Sequence, residues 1–208
     1  MTREPIDAIF LAAGLSRRMG ADNKLLLPFA GQPLVRHTAA RLLRAGLRRV
    51  VAVTGHDAAE VSAALDGLDI EITFNPAFDS GQMRSVSHGL RTLGEGAGAA
   101  MIALADMPYL QPADYRNLAA AFQKHGGNRI IVPHFQQERG NPIILPVADV
   151  KAVVAGDLNT GCRKLIRDHP DRVFALPVEN AAFIRDIDTS AEYSQALKSN
   201  HASAPCCG

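Results

Sequence analysis

Cysteine is scarce in this sequence: three residues in 208, with Cys162 alone and Cys206 beside Cys207 in the last three positions. Adjacent cysteines are strained partners for one another. No Cys-x-x-Cys pair exists, so neither a disulfide scaffold nor a structural zinc site is expected. An excess of charge is missing too. Lys+Arg number 22 and Asp+Glu 21, a formal net charge of +1, which leaves no broadly basic surface for nucleic acid. Gly, Asp and Arg break every apolar run before it reaches the length of a membrane span. The opening residues, Met-Thr-Arg-Glu-Pro, lack the apolar core and cleavage site of a secretory signal. The expectation is a cytoplasmic protein with no nucleic-acid or membrane partner. Two familiar nucleotide motifs are also absent. There is no G-x-x-x-x-G-K-[ST], and Gly14 and Gly20 do not fit G-x-G-x-x-G.

What is present is an ordinary globular balance, 47% apolar and 21% charged, in a chain long enough to bury a real core. Short apolar runs at Ile6–Ala12, 49–53, 70–74 and 100–104 read as strands. Helical periodicity marks 33–45, Ala58–Leu65, 85–93 and Pro112–Lys124. This alternation predicts a Rossmann-like α/β fold, a mainly parallel sheet with helices on both faces. Beyond Gly126-Gly127 the pattern changes. The runs 130–133 and Ile143–Leu145 flank a polar stretch and predict a small β-excursion. Val147–Ala155 and Cys162–Asp168 read as helices, 173–177 and 183–187 as strands, and 190–198 as a last helix. A single domain over 1–198 is expected, with a nucleotide-binding half over about 6–125, an acceptor half over about 126–198, and a disordered tail over 199–208.

In parallel sheets, ligands bind beyond the carboxyl ends of the strands. The segment after the first strand reads LAAGLSRRMGADNK, from Leu11 to Lys24. Its small residues, Ala12, Ala13 and Gly14, let backbone N–H groups approach anionic oxygens. Arg17, Arg18 and Lys24 add positive charge in the same loop. Asp106 follows the run 100–104 and points into the same predicted crevice; the structural alternative is a turn aspartate before Pro108. Asp186 and Asp188 lie on one side of their segment if it is extended, though Asp188 could equally cap the helix that follows. Among the remaining residues, His56 and His88 have no partner at metal-ligand spacing, and Cys162 reads as a small packing residue.

The loop resembles the L-A-[AG]-G-x-[SG]-x-R-[ML]-G…K signature of the MobA-like nucleoside-triphosphate transferases, which have a glycosyltransferase-A-like fold. The stretch Leu27-Pro28-Phe29-Ala30-Gly31-Gln32-Pro33-Leu34 is similar to that family's continuation. The resemblance implies that Leu11 to Gly14 wrap a triphosphate, with Arg18 and Lys24 as the signature cations. Leu104-Ala105-Asp106-Met107-Pro108 and the late Asp186-Ile187-Asp188-Thr189 resemble the molybdenum-cofactor branch. They imply that Asp106 and Asp188 hold Mg²⁺, with Asp186 in reserve. The Leu-Ala-Ala-Gly form of the loop and Asn75-Pro76…Gly81-Gln82-Met83-Arg84-Ser85 resemble the cytidylyltransferase group. They imply CTP as donor, with Asn75, Gly81 and Ser85 at the base; a bland reading makes Gly81 a turn and Ser85 a helix cap. Arg139-Gly140-Asn141-Pro142 and Gly156-Asp157…Gly161-Cys162-Arg163 resemble the acceptor elements, with extra residues between Asp157 and Gly161. They imply that Arg139, Gly140, Asn141, Asp157 and Arg163 meet a molybdopterin-type acceptor.

The implied reaction is transfer of CMP from CTP to molybdenum-bound molybdopterin, with release of pyrophosphate. Three alternatives stay open. One is a nucleotidyltransferase using another nucleotide or a sugar or polyol phosphate acceptor. Another is a nicotinamide-dependent redox enzyme on the same scaffold. The third is a carrier or insertion chaperone that passes molybdenum cofactor to a client molybdoenzyme.

Overall fold

Every residue of the first strand, β1 (Ile6–Ala12), is buried. That is the burden of a strand with neighbours on both sides and helices on both faces, and it explains an apolar run without polar alternation. Asp7 alone breaks the run. It is fully buried and is held by Arg48 through two side-chain hydrogen bonds and by the Gly98 N–H, as a buried charge requires. The computed structural model describes residues 4–19, 22–94, 96–155 and 162–202.

β2 (Pro28–Phe29) and β3 (Gln32–Pro33) form a small separate ladder. The main sheet also contains β4 (Val50–Thr54), β5 (Glu71–Phe74), β6 (Ala99–Leu104), β7 (Ile130–Phe135), β8 (Glu138–Arg139), β9 (Ile143–Leu145) and β10 (Val173–Val178). Its order is β10-β7-β9-β6-β1-β4-β5, with β8 paired to β7. The pairings are parallel except those of β9 and β8. The expected β-excursion is the β7–β8 hairpin. The return through β9 has no crossover helix, so β9 enters the sheet antiparallel, between β6 and β7.

Helices cover both faces. α1 (Leu34–Leu43), α2 (Ala58–Leu65), α4 (Pro112–Lys124) and α7 (Ser190–Ala202) pack one apolar layer around Phe10, Tyr115 and Phe122. α3 (Gln82–Leu93), α5 (Val147–Ala155) and α6 (Cys162–Asp168) pack the other around Ile9, Val53 and Leu90. Gly89 of α3 lies so close to β1 and β4 that an added Cβ would stand 2.6 Å from Ile9 Cγ2 and 2.8 Å from Val53 Cγ2. None of the helices among the described residues is long and apolar enough to cross a membrane.

Three expectations need correction. α3 starts at Gln82, not Ser85, because Gly81 supplies the φ of 103° that precedes it. Segment 183–187 is not a strand. Asn180 caps a 3-10 turn at Ala181–Ile184, its side chain accepting from the Ala182 N–H, and the chain then runs irregularly across the carboxyl end of the sheet. α7 continues to Ala202, four residues beyond the expected end and into the span 199–208 read as tail.

His37 of α1 supplies a stability test. Its ring is buried and meets Phe29 edge-on at 4.9 Å, and Nε2 has no hydrogen-bond partner. Burial first, and the nearby Arg41 charge second, lower its pKa from 6.5 to about 4. The unfolded chain therefore takes a proton before the folded one does as pH falls. Stability from this site is complete above about pH 6.5 and drains away as pH falls toward 4, by up to about 3 kcal/mol. Denaturation midpoints between pH 7 and pH 4 should fall more steeply for the natural protein than for His37→Gln. Parallel curves would show that His37 does not carry the effect.

Candidate functional site

A cleft of about 470 Å³ opens at the carboxyl end of β1, within the size range of small-molecule sites. Leu11, Ala13, Gly14, Arg18 and Lys24 of the glycine segment line it, together with Gly81 and Ser85 before and within α3 and with Asp106 and Asp188. An added Cβ at Gly14 would meet no protein atom within 4 Å, so the missing side chain leaves open space at the cleft wall.

The loop is held by its polar residues. Lys24 N donates to Ser16 Oγ at 3.2 Å, and Ser16 Oγ donates to Asn23 Oδ1 at 3.3 Å. Asn23 caps the 3-10 turn Lys24–Leu26 by accepting from the Leu25 N–H, and its amide donates to Asp57 at 3.2 Å. This pins the Lys24 backbone and aims its side chain across the cleft. Lys24 Nζ lies 2.7 Å from Asp106 Oδ2 and 2.6 Å from Asp188 Oδ1, with its side chain only 9% exposed. Burial works against the Lys24 charge, but Asp106 and then Asp188 outweigh it and raise its pKa above the ordinary lysine value. Arg18 Nη1 reaches the other Asp188 oxygen at 2.7 Å from a side chain that is 71% exposed.

A backbone contact brings the distant aspartates together. The Ile187 N–H donates to the Asp106 carbonyl at 2.9 Å. Carboxylate oxygens of Asp106, Asp186 and Asp188 thereby lie within 4.8 Å of one another. Asp188 does not cap α7. Thr189 does, accepting from the Glu192 N–H, while Glu192 accepts from the Asp188 and Thr189 N–H groups. This reciprocal cap leaves the Asp188 carboxylate for the cleft. Burial, then Asp106 and Asp188, hold the Asp186 carboxyl above the usual range. Asp106 Oδ1 is buried without a hydrogen-bond partner. An orphaned carboxylate oxygen within an all-oxygen cluster fits a hard divalent cation.

Two residues of the expected nucleotide contacts, Asn75 and Ala12, are placed differently from the sequence expectation. Both are buried and stand outside the cleft wall. Asn75 Oδ1 accepts from the Ala77 N–H at 3.0 Å, and its Nδ2 donates to Ser85 Oγ at 3.1 Å. Ser85 sits inside α3 rather than capping it. Its hydroxyl accepts from the Asn75 amide and keeps a proton of its own to donate. Phe78, Asp79 and Gln82 also line this end. Sequence reasoning gave roles around the β5–α3 connection to Asn75, Gly81 and Ser85, quoted Gln82 only within the motif and missed Phe78 and Asp79, which no motif marks.

The segments read as acceptor elements lie to one side. Arg139, Gly140 and Asn141 stand outside the cleft wall. The Asn141 N–H donates to the Phe183 carbonyl at 2.8 Å, and an added Cβ at Gly140 would overlap that same carbonyl. The element therefore docks on the segment that leads to Asp186. Arg139 acts electrostatically on Cys162. Asp157 lies outside the described residues, and Arg163 is described as a position in α6. Burial pushes the Cys162 thiol up to about 11, and its N–H meets Met83 Sδ at 3.3 Å, which suits a packing residue.

The family model of the MobA-like NTP transferase domain matches residues 8–173. A probable molybdenum cofactor guanylyltransferase from Natronomonas pharaonis is 38% identical over 104 residues, half of each chain. A nicotine blue oxidoreductase from Paenarthrobacter nicotinovorans is 27% identical over 205 residues, covering 92% of this chain and 96% of that one. A bifunctional protein GlmU from Rhizorhabdus wittichii is 31% identical over 140 residues, which is 66% of this chain but 30% of that protein. The solved structure of a nucleotidyl transferase from Methanothermobacter superposes with a TM-score of 0.81 at 22% identity, covering 96% of this chain and 99% of the other.

Proposed function

The chain belongs to the MobA-like NTP transferase domain family, and from that premise we propose that this nucleotidyltransferase moves CMP from CTP onto the phosphate of molybdenum-bound molybdopterin in the cytoplasm. The observation that carries the reading is the Lys24 ammonium between Asp106 and Asp188, beneath the glycine loop. Loop cations and clustered carboxylates in one cleft suit a triphosphate better than they suit an uncharged ligand.

An oxygen of the acceptor phosphate attacks the α-phosphorus. The bond from that phosphorus to the α,β-bridging oxygen breaks, and pyrophosphate leaves with the electron pair. The acceptor oxygen is already anionic near neutral pH, so no strong general base is needed. Backbone N–H groups around Gly14 orient the phosphates. Lys24 and Arg18 stabilise charge as it builds on the leaving group. Mg²⁺ would be held by Asp106 and Asp188, with Asp186 in reserve, and would offset negative charge on the phosphate oxygens. Ser85 offers a proton to an acceptor atom on the base edge, and cytosine has such atoms in its ring nitrogen and carbonyl oxygen. Arg139, Gly140, Asn141, Asp157 and Arg163 form the acceptor side, from which the product passes to a client molybdoenzyme or its chaperone.

Pyrophosphate release should be measured with CTP, GTP, ATP and UTP, each with and without molybdenum-loaded molybdopterin. The expected result is acceptor-dependent release from CTP. Release from GTP alone would overturn the base assignment, and release only with a sugar or polyol phosphate would overturn the acceptor. A redox reading has one observation in its favour, the nearly full-length match to an oxidoreductase. It requires oxidation of a nicotinamide cofactor that persists in EDTA. The clustered carboxylates speak against it, because hydride transfer does not need them.

A further inference from the structure

The cleft has two ends of different chemistry. Lys24, Asp106 and Asp188 gather charge at one, while Phe78, Gly81 and Ser85 line the other beside the exposed Asp79. Resting on the nucleotidyltransferase reading above, we propose that the Phe78 ring is the surface on which the nucleobase lies, and that Gly55 is the positioning residue that seats it.

The sheet order gives the direction. β1 lies between β6 and β4, and β5 lies beyond β4. Asp106, after β6, and Phe78, after β5, therefore flank the glycine loop from opposite sides. A triphosphate whose phosphates reach Lys24 has the Phe78 side left for its base. Phe78 is half-buried and opens a 3-10 turn, Phe78–Ser80. Its ring is braced by Phe74 at 6.4 Å and by His56 at 6.5 Å.

Gly55 makes that position available. An added Cβ there would overlap Phe78 Cβ and stand 2.7 Å from Phe78 Cγ and 2.9 Å from Ala13 Cβ. The bare backbone of Gly55 thus lets the phenylalanine close on the glycine loop itself. An aromatic face in a charged cleft gains from a flat partner, and every base has a π-face. The ring supplies affinity without choosing a base, and Ser85 reads the edge.

The sequence contains no tryptophan, so Phe78→Trp installs a single reporter at this site. Its emission should be quenched saturably by CTP and, at higher concentration, by cytidine, but not by tripolyphosphate. Gly55→Ala in that background should weaken the CTP response by on the order of tenfold. Phe78→Ala should raise KM for CTP by on the order of ten- to a hundredfold, with the loss in kcat/KM carried by KM. Equal quenching by tripolyphosphate would overturn the proposal. So would a silent reporter in a sample where calorimetry shows CTP bound, or an unchanged KM in Phe78→Ala. If no nucleoside triphosphate binds the natural protein or yields pyrophosphate, the underlying reading fails as well. Turnover of CTP with a silent reporter removes this inference alone.

Discussion

Asp106→Asn should reduce pyrophosphate release by about a thousandfold or more while the protein stays folded. The expected size follows from the position of the group. Asp106 is the carboxylate nearest the end of β6, one of its oxygens faces Lys24, and the other is buried without a partner. Asparagine keeps the shape but removes the charge that a divalent cation requires, and lost metal assistance costs several kcal/mol of transition-state stabilisation. The fold should survive because the link to the late segment runs through the Asp106 carbonyl, which accepts from the Ile187 N–H. Turnover, a thermal melt and a Mn²⁺ titration followed by electron paramagnetic resonance should be measured on one preparation. A normal melt with weakened Mn²⁺ binding and lost turnover is the expected triad. Normal turnover would remove Asp106 from the site. Asp188→Asn should cost more than Asp186→Asn, and the reverse order would exchange their roles.

Lys24→Met is the second large effect. We expect a loss of about 10²–10³-fold in kcat/KM, the scale of removing one preorganised charge from a transition state. Arg18→Ala should cost far less, on the order of tenfold or below, because exposure to solvent weakens a charge. The two cations look alike in sequence, but the Lys24 side chain is 9% exposed and the Arg18 side chain 71%. Single-turnover pyrophosphate release at saturating CTP separates the effects. A drop in the chemical rate is expected for both variants, large for Lys24→Met and small for Arg18→Ala. Equal losses in both variants would mean that burial does not set their contributions.

Much of the fold was legible because its strongest signals are local. The buried run of β1, the helix Ala58–Leu65 and the helix Pro112–Lys124 have the predicted bounds. Each is determined by its own apolar pattern, with Pro5 before β1, Pro112 opening α4 and Gly67 two residues beyond α2. The glycine loop was equally readable, since a strand, small residues and cations follow one another along the chain. Segment 183–187 misled for a physical reason. Its apolar residues do enter the core, with Phe183 and Ile187 buried, but Asn180 turns the chain and the peptide N–H of Ile187 is used by Asp106 rather than by a strand.

The sequence by itself determined which groups are available: a glycine loop with three cations, one aspartate after a buried strand, two more near the end, and an alternation that makes a parallel sheet. Tertiary structure decided how they are arranged. It joined the Ile187 N–H to the Asp106 carbonyl and so brought Asp188 beside Lys24, while the local Thr189-x-x-Glu192 cap left the Asp188 carboxylate uncommitted. It buried Asn75 behind Ser85 and carried Phe78 over the loop against Gly55. The approach of Asp188 to Lys24 and of Phe78 to Gly55 joins residues far apart in the chain, and a linear pattern does not encode which of several competent side chains will meet a given distant partner.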